Sequence, residues 1–342
     1  MHSQFGLVLM VNHACNLRCS YCYTGLKFSR AMPLNVATKS VERAVASLSS
    51  GGVLELSFFG GEPLLEAELI GDVIAFARVH CERSGLTLST SMTTNGTIES
   101  PAAWKLISDP TLDLTVSFDG LPQIHDRHRS DADGRGSSSK VLATMRRLIS
   151  SGKSFQVIAV VRPDTVERLP DGLRFLRELG VDQVVPSLDL WTTWNSPDIQ
   201  KLEVALQASA EVWREGLPCF GVSWFNEKAV QLSGVPMSAG ARCGFGHGEI
   251  AVAPSGNLYP CERVIGEDRD GNPLRLNGHA LQGNDFLNAA PVCSAAREDC
   301  GLSCACSNFV RTGRIDRGDD LLRELDRICL RETRRVLLAP VA

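Results

Sequence analysis

The residues of this chain best equipped for chemistry are three thiols within eight positions, Cys15-Asn-Leu-Arg-Cys19-Ser-Tyr-Cys22. Three thiolates on one short loop can hold three irons of a 4Fe-4S cube and leave the fourth iron open to a small chelating molecule. With 12 Cys in 342 residues, such a triplet is expected by chance only roughly 0.015 times, so coincidence explains it poorly. A structural zinc loop is the stronger alternative, but zinc wants a fourth ligand and usually arrives with Cys-x2-Cys pairs. Seven more cysteines follow residue 240: Cys243, Cys261, Cys293, Cys300, Cys304, Cys306 and Cys329. They mark a second metal-bearing region, for which clustered thiols also suit zinc. Cys81, within a helical stretch, and Cys219 read as buried small hydrophobes.

The elements that must position these residues show in the hydrophobic pattern. Apolar strand-like runs at Phe5 to Val11, Val53 to Phe59, Leu86 to Thr93, Leu112 to Phe118, Phe155 to Val161 and Gln183 to Ser187 alternate with stretches of helical period. The helical stretches are Val36 to Ser49, Glu68 to Arg83, Ala102 to Ile107, Ser139 to Ser150 and Val166 to Leu179. Six β/α repeats with nearly continuous apolar strands predict an α/β chain with a parallel sheet, in a full or an incomplete barrel. In such barrels chemistry sits at the C-terminal ends of the strands. The motifs fall there: the thiols after the first strand, Gly60-Gly61-Glu62-Pro63 after the second, Thr93-Thr94-Asn95-Gly96 after the third. After the fourth comes Ser117-Phe118-Asp119-Gly120, leading into His125-Asp126 and Arg129. The paired glycines would let backbone approach a ligand beside a fixed carboxylate, whereas TNG and DG alone are ordinary turn signals. Asp131 to Ser139, rich in Gly and Ser, reads as a mobile loop. Residues 188–240 form a bridge with a helix from about Ile199 to Glu215, and Trp191, Trp194, Trp224 and Phe225 there line a cleft or pack a core.

Bulk composition narrows the function. A formal net charge of -4 provides no basic stripe for a phosphate backbone, which argues against nucleic acid as partner. No apolar run reaches the length of about 18 residues that spans a bilayer, and the N-terminus lacks the regions of a signal peptide. A cytoplasmic, reducing setting is expected, where many cysteines point to metal or redox chemistry in preference to disulfides.

With Tyr21 before its last thiol, the loop resembles the signature of the radical S-adenosylmethionine (SAM) enzymes. The resemblance implies that SAM chelates the open iron of a 4Fe-4S cluster. One electron, from an external donor such as flavodoxin or ferredoxin, then cleaves SAM to methionine and a 5'-deoxyadenosyl radical that abstracts hydrogen. It implies an incomplete (β/α)6 barrel over residues 1–190, and assigns cofactor contacts to Tyr21, Gly60, Gly61, Glu62, Pro63, Asn95, Ser117, Arg129 and Val161. Asp119 would face the substrate side. Cys243-x12-Gly256-x4-Cys261 resembles the opening of a SPASM domain, here over residues 241–342 after a bridge at 191–240. That likeness implies one or two auxiliary 4Fe-4S clusters. The later cysteines depart from the family pattern, since one of a C-x2-C pair is missing, Cys306 is extra, and two fully thiolate-bound clusters need eight ligands where seven cysteines stand.

The expected function is hydrogen abstraction from a peptide or protein, leaving a cross-link, an oxidised side chain or an inverted centre. Few residues precede the first strand, so a peptide leader would be bound by a separate protein or by the cleft itself. A formylglycine-forming sulfatase maturase is one alternative, with Glu262 where that family places an Asp base. Tailoring of a small molecule on the same scaffold is another. An iron-sulfur scaffold or sensor would leave GGEP and Ser117 to Arg129 without a ligand.

Overall fold

A computed structural model of the chain describes residues 1–235, 245–288 and 304–338. It divides into two compact units. The first comprises Met1–Arg18, Cys22–Leu114 and the described part of Arg242–Ala296; the second comprises Cys19–Tyr21, Thr115–Ala241 and the described part of Arg297–Ala342.

In the first unit β1 (His2–Met10) is central, and its residues Phe5 to Met10 are all buried. A parallel strand covered on both faces requires such an unbroken apolar run. It pairs in parallel with β2 (Leu48–Phe59), which pairs in parallel with β3 (Thr87–Thr94). The helices are α1 (Leu34–Ala46), α2 (Ala67–Arg83) and α3 (Pro101–Ile107). On the other side of β1 lies β8 (Glu249–Val252), also parallel, joined to β9 (Leu258–Tyr259) by a hairpin. Gly256 turns this hairpin at φ +90°, in the left-handed region that glycine enters without strain.

Helix α1 stops earlier than its apolar period suggests. Ser47 caps it, its Oγ donating to Arg43 O at 2.8 Å, and Ser49 Oγ donates to His2 O at 3.1 Å, so the chain from Leu48 is drawn into the ladder with β1. Serine competes with helical bonding through such local bonds.

The second unit carries β4 (Leu112–Ser117, from Thr115 on), β5 (Gln156–Val161), β6 (Gln183–Leu188) and the short β7 (Gly221–Val222), in parallel order β4-β5-β6-β7. Its helices are α4 (Pro122–His128), α5 (Ser138–Ser150), α6 (Leu169–Leu179), α7 (Ser196–Gly216), α8 (Ser223–Leu232), α9 (Ala305–Thr312) and α10 (Asp320–Leu338). Asn195 and Asp198 form a capping box that starts α7. Helix α10 buries Leu321, Ile328, Cys329 and Val336, and its flank binds α7 through Arg331 to Glu203 at 2.7 Å and Arg335 to Glu211 at 2.5 Å.

Two expectations are corrected, and a third is divided. Asp131 to Ser139 is a bonded turn: Asp131 Oδ1 accepts from the backbone N–H of Asp133 and of Arg135, each at 2.9 Å, and Asp126 accepts from Ser138 N at 2.7 Å. Cys219 is exposed, because it lies in the turn between α7 and β7 and not on a packed face. The aromatics of the bridge divide: Trp194 is buried, its Nε1 donating to Asp189 O at 3.0 Å, Phe225 packs beside Trp213, and Trp191 is 46% exposed. Among the described residues, no helix is long and apolar enough to cross a membrane.

Candidate active site

The end of β1 and the end of β2 meet backbone to backbone. Gly61 N donates to Asn12 O at 3.0 Å, Glu62 N to Ala14 O at 2.8 Å, and Asn12 Nδ2 to Glu62 O at 3.1 Å. A Cβ on Gly61 would stand 2.2 Å from Ala14 O, and one on Gly60 would stand 2.6 Å from Asn12 Oδ1. The two glycines therefore admit the chain that enters the cysteine loop, a use beyond the approach to a ligand expected of them. Pro63, buried, opens a single 3-10 turn after them.

Glu62 is 1% exposed and bonded on both oxygens: Oε1 accepts from Leu64 N at 3.0 Å and Thr94 Oγ1 at 2.6 Å, Oε2 from Asn95 N at 2.7 Å. Burial pushes its carboxyl above the usual range in spite of these donors. Its side chain ties the end of β2 to the end of β3. There Asn95 Oδ1 accepts from Thr97 N at 3.0 Å and Thr97 Oγ1 at 2.7 Å. Asn95 Nδ2 donates to Asn16 Oδ1 at 2.9 Å and lies 3.9 Å from Cys15 Sγ. Asn16 Nδ2 closes the ring on Thr97 Oγ1 at 2.7 Å. The structure thus brings together Gly60, Gly61, Glu62, Asn95 and Cys15. Asn12, Asn16, Thr94 and Thr97 complete the network; sequence reasoning passed over them, although Asn16 stands inside the thiol motif.

Cys22 Sγ accepts from Lys27 Nζ at 2.9 Å and lies 3.3 Å from Thr24 Oγ1. Burial by itself would raise the Cys22 thiol, but the Lys27 ammonium and these hydrogen bonds outweigh it and bring it below the ordinary thiol range. Tyr23 lies within electrostatic reach of Cys22 and also of Cys261 and Glu262. Burial first, and then the Glu262 carboxylate, push its hydroxyl well up. On the hairpin, Cys261 is buried and its Sγ lies 3.3 Å from Glu262 Oε2. Asp268 anchors the hairpin, its Oδ1 accepting from Asn257 Nδ2 and Tyr259 Oη, each at 2.9 Å.

In the second unit Asp119 is the centre. Tyr21 Oη donates to its Oδ2; Arg129 donates through Nε at 3.0 Å and Nη2 at 3.2 Å; Val160 N donates to Oδ1 at 3.0 Å. Burial would raise Asp119, yet the Arg129 charge, His125 and these donors hold it below the carboxylate range. Asp119 is therefore a buried positioning carboxylate. It is not the substrate-facing catalytic group expected, because its lone pairs are taken by protein donors. Arg129 engages Asp119 through Nε and Nη2, and its guanidinium lies 5.2 Å from the Tyr21 ring centroid. Tyr21 is thus held by its hydroxyl and its face. Ser117 is buried in β4. Val161 is 4% exposed and lines, with Asp119, Gly120 and α6, a cavity of about 20 Å³. That volume suits one water and no larger group, so the cofactor contact expected of Val161 has no room on that side. Arg162 pairs with buried Asp189 and with Asp164.

Behind Asp119, His125 stacks on Phe118 at 4.7 Å, accepts from Asp119 N at 3.4 Å and bonds Ser137 Oγ at 2.9 Å. Burial lowers it to about 4, so it is neutral in the fold.

Of the later cysteines, Cys304 and Cys306 bring their sulfurs to 3.1 Å at the start of α9, and Cys329 is buried within α10, where burial pushes its thiol up to about 12. Cys243, Cys293 and Cys300 lie outside the described residues. Among the described residues no three His, Cys, Asp or Glu side chains converge closely enough to hold a metal ion. The thiol loop nonetheless suits an iron-sulfur cluster by its donors: Cys15, Cys19 and Cys22 are unoxidised and half-buried, and two of them receive N–H bonds of the kind that thiolate ligands accept.

Comparison with known proteins agrees with this geometry. The Radical SAM superfamily matches residues 9–176. The chain is similar to the cysteine-type anaerobic sulfatase-maturating enzyme of Clostridium novyi (strain NT), 24% identical over 286 residues that cover 78% of this chain and 75% of the relative. It is also similar to the PqqA peptide cyclase of Gluconobacter oxydans (strain 621H), 26% identical over 268 residues, 75% of this chain and 69% of the relative. A solved structure of native anSMEcpe with bound AdoMet and Cp18Cys peptide superposes with a TM-score of 0.72 at 19% identity, covering 97% of this chain and 98% of that one. At that identity the likeness speaks for the fold alone, an α/β fold with a parallel sheet of the partial-barrel kind. Residues 9–176, which carry the thiol loop, the GGEP turn and Asn95, match the radical SAM superfamily as a radical SAM domain.

Proposed function

We propose that this chain is a maturase that abstracts hydrogen from a peptide or protein and leaves a cross-link, an oxidised side chain or an inverted centre. The observation that carries this reading is the thiol loop after β1, fastened through Asn95 and Asn16 to the end of β3 in a chain whose relatives include a peptide cyclase and sulfatase-maturating enzymes. When bound, the 4Fe-4S cluster and SAM supply a 5'-deoxyadenosyl radical. Cys15, Cys19 and Cys22 would hold the cluster, and Gly60 to Pro63, Asn95 and Ser117 would line the SAM site. Asp119 and Arg129 orient Tyr21 from behind. Residues 1–190 serve as the radical core and 191–240 as the bridge. In residues 241–342, Cys243, Cys261, Cys293, Cys300, Cys304 and Cys306 are the thiols for one or two auxiliary clusters; Cys329, sealed within α10, is a weaker candidate. Electrons come from a flavodoxin or ferredoxin, and a substrate leader docks on a separate protein or on the cleft.

Glu262, half-buried beside Cys261, would take a proton from substrate as its radical is oxidised. A general base of this kind is typically worth about 10² to 10⁴ in rate. Glu262→Gln should keep SAM cleavage and lose product, so that 5'-deoxyadenosine forms without substrate modification; native coupling in that variant would remove the role.

The test of the whole reading is anaerobic incubation with SAM, a low-potential reductant and candidate peptides, beginning with the product of any short open reading frame found beside the gene. Mass spectrometry should show loss of hydrogen from the peptide, or deuterium uptake from heavy water. An unmodified peptide alongside turnover of an alcohol or sugar would refute it. The similarity to sulfatase-maturating enzymes supports a second reading, formylglycine formation, which predicts oxidation of a sulfatase-derived Cys or Ser peptide instead.

A further inference from the structure

Cys22 is followed by a turn with a demanding geometry. Gly25 has φ +73°, a Cβ there would stand 2.7 Å from Glu267, and Leu26 N donates to Glu267 Oε1 at 3.0 Å. Pinned in this way, the chain doubles back and returns the half-buried Lys27 to the thiol loop. Its ammonium lies 2.9 Å from Cys22 Sγ and is also bonded to Thr24 Oγ1, while Thr24 is itself buried and 3.3 Å from the same sulfur. By contrast, the amides that approach Cys15 are neutral and more distant, Leu17 N at 3.4 Å and Asn95 Nδ2 at 3.9 Å.

We propose that Lys27 is a positioning residue that raises the reduction potential of the cluster held by Cys15, Cys19 and Cys22. This rests on the reading of those thiols as cluster ligands. Reduction adds one electron to the cluster, so a cation fixed against a ligand sulfur stabilises the reduced form more than the oxidised one. Hydrogen bonds to cluster sulfurs act in the same direction. Neither effect requires Lys27 to touch SAM or substrate. Its consequence is that a modest donor can load the electron on which SAM cleavage depends.

The experiment uses the full chain, reconstituted with iron and sulfide without oxygen, as wild type, Lys27→Met, Lys27→Gln and Lys27→Arg. Iron and sulfide content are measured, and the signal that responds to SAM is followed by electron paramagnetic resonance during titration with dithionite and mediators. Lys27→Met should keep its iron and lose at least tenfold in the one-electron reduction equilibrium, a midpoint lower by about 59 mV or more. Lys27→Gln, which keeps an N–H donor, should fall between Met and wild type, and Lys27→Arg should restore most of the shift. An unchanged or higher midpoint in Lys27→Met with full iron would overturn the proposal. Loss of iron in both neutral variants would also overturn it, in favour of a lysine that only braces the loop. Absence of a SAM-responsive signal in the wild type would instead refute the cluster assignment on which the proposal rests.

Discussion

Replacing Asp119 by alanine strands a buried cation. The Arg129 guanidinium, whose side chain is 8% exposed, loses both of its bonds to the carboxylate, Tyr21 Oη loses its acceptor, and Val160 N is left without one. Breaking a buried ion pair from one side costs about 3–5 kcal/mol, and each orphaned donor about 1–3 kcal/mol. These groups share one site and do not add, so we expect about 4–6 kcal/mol of lost stability, a large part of the margin of a folded domain. The assay is urea unfolding of anaerobically purified protein, followed by far-ultraviolet circular dichroism. Asp119→Ala combined with Arg129→Met should recover about 2 kcal/mol of the loss, because the second change removes the stranded charge. A loss below about 1 kcal/mol in Asp119→Ala would refute the reasoning, since a carboxylate facing an open cleft can be removed at little cost to the fold.

His125 should impose an acid limit on stability. Its folded value is depressed from 6.5 to about 4, so its contribution is complete above pH 6.5 and is lost as pH falls toward 4, by about 3 kcal/mol. Unfolding midpoints from pH 7 to pH 4 should fall in the wild type and fall less steeply in His125→Gln; parallel slopes would contradict this. Gly61→Ala should lose iron from the thiol loop, because the new Cβ would meet backbone at Ala14 O, 2.2 Å away. Gly71→Ala, in α2 with nothing within 4 Å, should keep its iron and be more stable by about 0.5–1 kcal/mol. Iron content after reconstitution and thermal melting distinguish the two variants, and full iron in Gly61→Ala would refute the close-approach account.

The sheet was legible in the sequence because buried parallel strands leave nearly unbroken apolar runs: the six predicted strands overlap β1 to β6 in turn, with ends moved by up to five residues, the most at the start of β2. Helix α4 was missed because Asp119-Gly120 reads as a turn, although Pro122 just after it is common at the start of a helix. Helix α10 was missed for a different reason. Leu321, Ile328, Cys329 and Val336 lie on one buried helical face, but the cysteine pattern drew the eye away from that period. At the site, the thiol motif and the strand-end turns were legible, since position along the chain fixes them. The use of each side chain was not. Whether Asp119 meets substrate or Arg129 depends on the partners that α4 and β5 bring to it, and the glycines of GGEP are explained by Ala14, some 47 residues earlier in the chain. Such contacts are long-range packing facts, which no local pattern encodes. Lys27 likewise reads as an ordinary surface lysine until the Gly25 turn returns it to Cys22.

The claim on which the rest depends is that Cys15, Cys19 and Cys22 carry the cluster that cleaves SAM. The direct measurement is 5'-deoxyadenosine production by reduced, anaerobically reconstituted protein, compared with the variant in which all three cysteines are alanine. The account predicts that the variant folds, because the apolar core of β1 to β3 lies below the loop. It should lose one cluster's worth of iron and form no 5'-deoxyadenosine above background. A folded triple variant that produced 5'-deoxyadenosine at the wild-type rate would contradict it.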